Sequence, residues 1–163
     1  MEIINIIVFG DSLAYGMDDT ELGGWVNRLR SYFDNHDERK INIFNLSIPG
    51  EITRETLKRF DAECNIRCDK DKMTVIVFAV GINDTQDVNG NYRVSLEQFY
   101  SNIKSLIRAA KKYTHYILFV GLTQVDEAKV LPVIWNRNKS YSNDKIKKFD
   151  NLLEKICSIE KEE

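Results

Sequence analysis

Apolar residues recur along this chain in two alternating rhythms. Residues 3–9, 41–46, 73–80 and 116–121 are short runs rich in β-branched and aliphatic side chains, and they read as strands. Residues 73–80 are almost unbroken in apolar character, as expected of a central strand buried on both faces. Between the runs the apolar positions follow helical spacing. Trp25, Val26, Leu29, Tyr32 and Phe33 share one face of a helix over 24–33. Thr53 suits the cap of a helix running through Leu57 and Phe60. Leu96, Phe99, Ile103, Leu106 and Ile107 stripe a long helix over 94–110, and Ile146, Phe149, Leu152, Leu153 and Ile156 stripe a last one over 143–159. Residues 124–141 form a long connection containing Pro132 and Trp135. The charged tail 160–163 reads as frayed.

Strand–helix alternation of this kind predicts an α/β protein built on an open parallel sheet with right-handed crossovers. At 163 residues the chain suits one domain with a real core. Hydrophobic content of 43% and charged content of 29% are those of an ordinary soluble protein. The net charge of -2 gives no reason to expect nucleic acid or an anionic membrane as partner. No apolar run is long enough to span a bilayer. Glu2 stands where a signal peptide would carry basic residues, so a cytoplasmic location is expected. Cys64, Cys68 and Cys157 are read as free thiols, because no second pair or histidine cluster completes a zinc site.

The loops that follow the strands carry the candidate chemistry. In an open parallel sheet they lie at the carboxyl edge, where ligands bind. The first reads Gly10-Asp11-Ser12-Leu13, the second Ser47-Ile48-Pro49-Gly50, and the third Gly81-Ile82-Asn83-Asp84. They bring a hydroxyl, a glycine turn and an amide to one edge. Acyl transfer needs a nucleophile and donors aimed at the developing oxyanion. Ser12 is the candidate nucleophile. The backbone N–H groups of Ser12 and Gly50 and the Asn83 amide are the candidate donors. Asp11 suits a turn or helix cap, and Asn83-Asp84 also suits a polar turn. Asp11, Asp84 and Trp135 are the candidate substrate-contacting residues, Trp135 because its loop follows the fourth strand at this edge.

These three ordered blocks resemble those of the SGNH (GDSL-type) hydrolases, a family of esterases and lipases. The resemblance rests on Gly10-Asp11-Ser12-Leu13, on residues 45–53 around Gly50, and on Gly81-Ile82-Asn83-Asp84. It implies a three-layer α/β/α, flavodoxin-like fold over 1–163, with Ser12, Gly50 and Asn83 as catalytic residues. A small-molecule ester substrate is implied, without metal or organic cofactor.

The family's fourth block, an Asp-x-x-His sequence, has no counterpart here. The two histidines, His36 and His115, fall at the opposite, amino edge of the predicted sheet. A strand separates the edges by roughly 17–20 Å, whereas a base must come within about 3 Å of its nucleophile. The expectation is a chain that lacks a fifth strand and the segment bearing the catalytic Asp and His, roughly 25–40 residues. The sheet edge so exposed would invite pairing with a second copy. Two readings stand beside the esterase. One is a non-catalytic binding or interaction domain with the same pocket. The other is a flavin- or phosphate-binding protein, which no G-x-x-x-x-G-K-[ST] or G-x-G-x-x-G run supports.

Overall fold

The structure is a computed structural model and describes residues 3–36 and 39–161. In chain order it contains β1 (Ile3–Gly10), α1 (Ser12–Tyr15), α2 (Gly24–His36), β2 (Lys40–Asn45), α3 (Thr53–Arg67) and β3 (Met73–Ala79). A single 3-10 turn (Ile82–Thr85) leads to β4 (Asp87–Val88), β5 (Asn91–Tyr92) and α4 (Leu96–Ala110). Then come β6 (Tyr116–Phe119), α5 (Glu127–Val130), β7 (Lys139–Ser140) and α6 (Asn143–Glu160). The main sheet is parallel, in the order β2-β1-β3-β6. It is the α/β fold that strand–helix alternation predicts.

The pleat of β1 sends its residues to two unequal cores. Ile7 and Phe9 face one way and, with Ile76 and Phe78 of β3, meet Phe60, Phe99, Leu106, Phe149 and Ile156 from α3, α4 and α6. Phe9, Phe60 and Phe78 lie with ring centroids 5.0–5.8 Å apart. Val8 faces the other way and joins Val77, Ala14 and Val26 in a small cluster under α1 and α2. Toward β6 this second face is uncovered: Tyr116 is 57% exposed and Leu118 56%. Among the described residues, three helices thus cover one face, while α1 and α2 cover part of the other.

Several local expectations are corrected. Thr53 is not a cap but the first residue of α3, which runs through Leu57 and Phe60 to Arg67. The carboxylate that satisfies its N–H comes from Asp84, distant in sequence. Ser95 caps α4, with Gln98 closing the reciprocal bond, so the helix starts after Val94. The long connection 124–141 carries two short elements, α5 and β7, and β7 pairs with β4 to complete a three-stranded antiparallel sheet. Glu160 belongs to α6 and pairs with Lys104 at 3.2 Å and Lys111 at 3.0 Å. Residues 162–163 and the middle of the 35–40 connection lie outside the described residues. The three cysteines are free thiols, and burial raises the pKa of each.

Candidate active site at the carboxyl edge

The register of the sheet decides which loops meet. Gly10 ends β1 opposite Ala79 of β3, and Ile48 N–H donates to Gly10 O at 3.0 Å. The Asp11-Ser12 turn is therefore flanked by the 46–52 loop on one side and the 80–86 segment on the other. Asn45 fastens the first side, donating to Ala14 O at 3.0 Å and accepting from Ser47 N–H at 3.2 Å. Asn83 closes the second, its Nδ2 donating to Glu51 O at 3.1 Å. Ser12, Gly50 and Asn83 thus belong to three loops joined by hydrogen bonds.

Ser12 is the first residue of α1 and is half-buried. Asp11 caps that helix, its Oδ1 accepting from Leu13 N–H at 3.0 Å. Burial pushes the Asp11 carboxyl up to about 6, with the Leu13 bond opposing and the charge of Glu51 adding to the rise. Gly50 is exposed, at φ +81, and a Cβ there would meet nothing within 4 Å. Glycine is needed at this position for its left-handed backbone and not to make room for a protein neighbour. The loop around it is rigidly held. Glu51 takes two bonds from Arg59, at 2.7 and 2.6 Å, and one from the Thr56 hydroxyl at 3.0 Å. Arg93 Nη2 donates to Gly50 O at 3.0 Å.

The other candidates fall in different places. Asp84 is fully buried, and its carboxylate accepts from both the N–H and the hydroxyl of Thr53. Desolvation raises it to about 6 against those bonds. Its place is at the N-terminus of α3, beneath the site. Trp135 is 78% exposed and lies outside the cavity beside Ser12. That cavity, about 370 Å³, is lined by Asp11, Leu13, Trp25, Val80, Ile82 and Leu122 among others and is mostly apolar; it adjoins Ser12 through Asp11 and Leu13, while Ser12, Gly50 and Asn83 are not among its lining residues. Trp25, read from sequence only as part of the apolar face of a helix, is the tryptophan that walls it. Its position at the start of α2, just after the α1 turn, was the available signal.

Two further residues escaped the sequence reading. Asp150 of α6 accepts from Leu122 N–H at 2.7 Å and holds the cavity's far wall. Tyr141, counted only as the end of a connection, donates its hydroxyl to Asn83 Oδ1 at 2.9 Å. Burial raises the Tyr141 phenol above its ordinary value. His36 stacks on Tyr32 at the end of α2, and His115 precedes β6; both are exposed and both lie at the amino edge. Among the described residues no group of three or more His, Cys, Asp or Glu side chains could hold a metal ion. None of the described helices is long and apolar enough to cross a membrane.

A hydroxyl, an exposed glycine and a clamped amide thus lie on adjoining carboxyl-edge loops of an open parallel sheet. The chain belongs to the GDSL-like lipase/acylhydrolase family, whose model matches residues 8–161. Its fold is similar to that of TesA, with a TM-score of 0.70 at 20% identity over 96% of this chain and 74% of that one. It is also similar to a lipase/acylhydrolase from Enterococcus faecalis, with a TM-score of 0.71 at 19% identity over 98% and 72%. The esterase EstA from Pseudoalteromonas sp. gives 0.67 at 18% identity over 94% and 72%. Among curated proteins none matches the sequence.

Proposed function

We propose that the protein is a serine ester hydrolase of small-molecule carboxylic esters, working through an acyl-enzyme on Ser12. The supporting observation is the juxtaposition of Ser12, Gly50 and Asn83 on three hydrogen-bonded loops. Ser12 Oγ attacks the carbonyl carbon, and the carbonyl oxygen becomes an oxyanion. The N–H groups of Ser12 and Gly50 and the Asn83 amide stabilise that charge. The tetrahedral intermediate collapses to the acyl-enzyme as the alcohol leaves with a proton. Water then attacks the acyl carbon and releases the acid and Ser12. Asp11 orders the turn that carries Ser12, and Trp25 walls the apolar cavity beside it.

The Ser12 proton needs an acceptor. His36 and His115 are a strand's length away, roughly 17–20 Å, and neither can serve. In this reading the proton passes to an acceptor that neither histidine of this sequence supplies. The same observation favours a second reading, a binding domain of this fold without its base.

Reaction with a fluorophosphonate probe separates the two; EstA from Pseudoalteromonas sp. was solved inhibited by monoethylphosphonate. The expected result is a single adduct on Ser12, absent in Ser12→Ala, with hydrolysis of a short-chain ester lost in the same variant. Equal labelling of wild type and Ser12→Ala rejects the mechanism. No labelling and no hydrolysis, with a retained fold, supports the binding domain.

A further inference from the structure

The amide of Asn83 is fixed by a chain of hydrogen bonds whose direction can be read from its donors. Gln86 Nε2 donates to the Tyr141 hydroxyl at 2.7 Å. An amide nitrogen has protons and no lone pair to offer, so the phenol oxygen accepts there. The single phenolic proton is thereby left for Asn83 Oδ1, at 2.9 Å. Asn83 Nδ2 in turn donates to Glu51 O. Rotating this amide by half a turn would set Oδ1 against the Glu51 carbonyl, two acceptors face to face. The chain begins at Arg93, a group that cannot accept. Arg93 Nη1 makes a long bond to Gln86 Oε1 at 3.4 Å, and its Nη2 holds Gly50 O. Asn83 and Gln86 are both buried, so the cost of a reversed or missing bond is not relieved by water.

We propose that Tyr141 is a positioning residue: it locks the Asn83 amide so that the remaining N–H of Nδ2 is presented at the oxyanion position above Ser12. Arg93, through Gln86, sets the direction of the lock and steadies the Gly50 loop as well. The inference deepens the acyl-transfer reading above and rests on it for its consequence, while the lock itself is a property of the fold. An Asn side chain has a soft terminal torsion, and a donor that swings does not stabilise a transition state as a fixed one does.

The primary test is the side-chain amide of Asn83 in nitrogen-15 NMR spectra of the whole protein. In Tyr141→Phe its two Nδ2 proton signals are expected to shift and to exchange with water at least ~10-fold faster, as follows from loss of a buried bond. Unmoved signals overturn the lock. Gln86→Glu is the second variant, should Tyr141→Phe not fold. It offers the phenol a carboxylate acceptor, draws its proton away from Asn83, and should move the same signals with the tyrosine in place.

The second test is the rate of phosphonate labelling at Ser12. Tyr141→Phe should label roughly tenfold more slowly, and Asn83→Ala on the order of a hundredfold more slowly. The double variant should be no slower than Asn83→Ala alone. Additive losses overturn the proposal, because Tyr141 would then act apart from Asn83. If wild type does not label at Ser12, the acyl-transfer reading falls, and the Asn83 signals still decide whether Tyr141 holds the amide.

Discussion

Asp11 and Asp84 are carboxylates in neighbouring loops, and both are pushed by burial to about 6. Folding therefore strengthens their hold on a proton. Their charged forms cost stability above about pH 6, and that cost fades as pH falls toward the ordinary carboxylate range. Asp11→Asn keeps an oxygen to cap Leu13 and removes the buried charge. Its melting temperature should exceed that of wild type by a few degrees at pH 8 and match it at pH 4, as scanning calorimetry would show. Asp84→Ala is expected to do the opposite. It strands the N–H of Thr53, a residue with no exposed surface, at a cost of about 2–3 kcal/mol. The two positions read alike in sequence, as acidic residues beside a site residue. Only the partners told them apart: one caps its own helix, the other serves a helix 31 residues earlier.

The strand-to-helix turn β1–α1 and the Gly50 loop carry the site, and each depends on a glycine for a different reason. A Cβ at Gly10 would come within 2.5 Å of Ala14 Cβ and 2.7 Å of Ser47 Oγ. Gly10→Ala should therefore cost about 1–3 kcal/mol by overpacking and slow Ser12 labelling by displacing the turn. Gly50→Ala meets nothing and should lose only about 1–2 kcal/mol to left-handed strain. Urea denaturation of both variants checks the order, which reverses if space rather than backbone governs Gly50. The main strands and the four long helices were legible from periodicity because burial of a face imposes its period. The short elements were not. The two-residue strands β4, β5 and β7 have no period to read, and their pairing follows from where α4 and α6 pack.

The molecule as a whole is lopsided. One face of the sheet is sealed by α3, α4 and α6, while Tyr116 and Leu118 of the edge strand β6 stand open on the other. An edge with free backbone groups and exposed aliphatic side chains is a template for further pairing. We propose that a second copy would pair at this edge: Leu118→Lys places a charge there without touching the core, and should lower any concentration-dependent association seen in light scattering while leaving the melting temperature within about 2 °C. Unchanged association would mean that β6 takes no part in it.

By itself the sequence determined the layer order and the three loops that meet at the carboxyl edge. Strand–helix alternation and the handedness of crossovers leave few other arrangements. It also determined that His36 and His115 stand at the wrong edge, since each precedes or ends an element whose direction is set. The tertiary structure decided which side chains in those loops face the cavity. Trp25 rather than Trp135 walls it, Asp84 is buried against Thr53 at the N-terminus of α3, and Tyr141 reaches Asn83 across 58 residues. Such pairings rest on hydrogen bonds between distant segments, and local pattern holds no record of them until packing brings the partners within 3 Å.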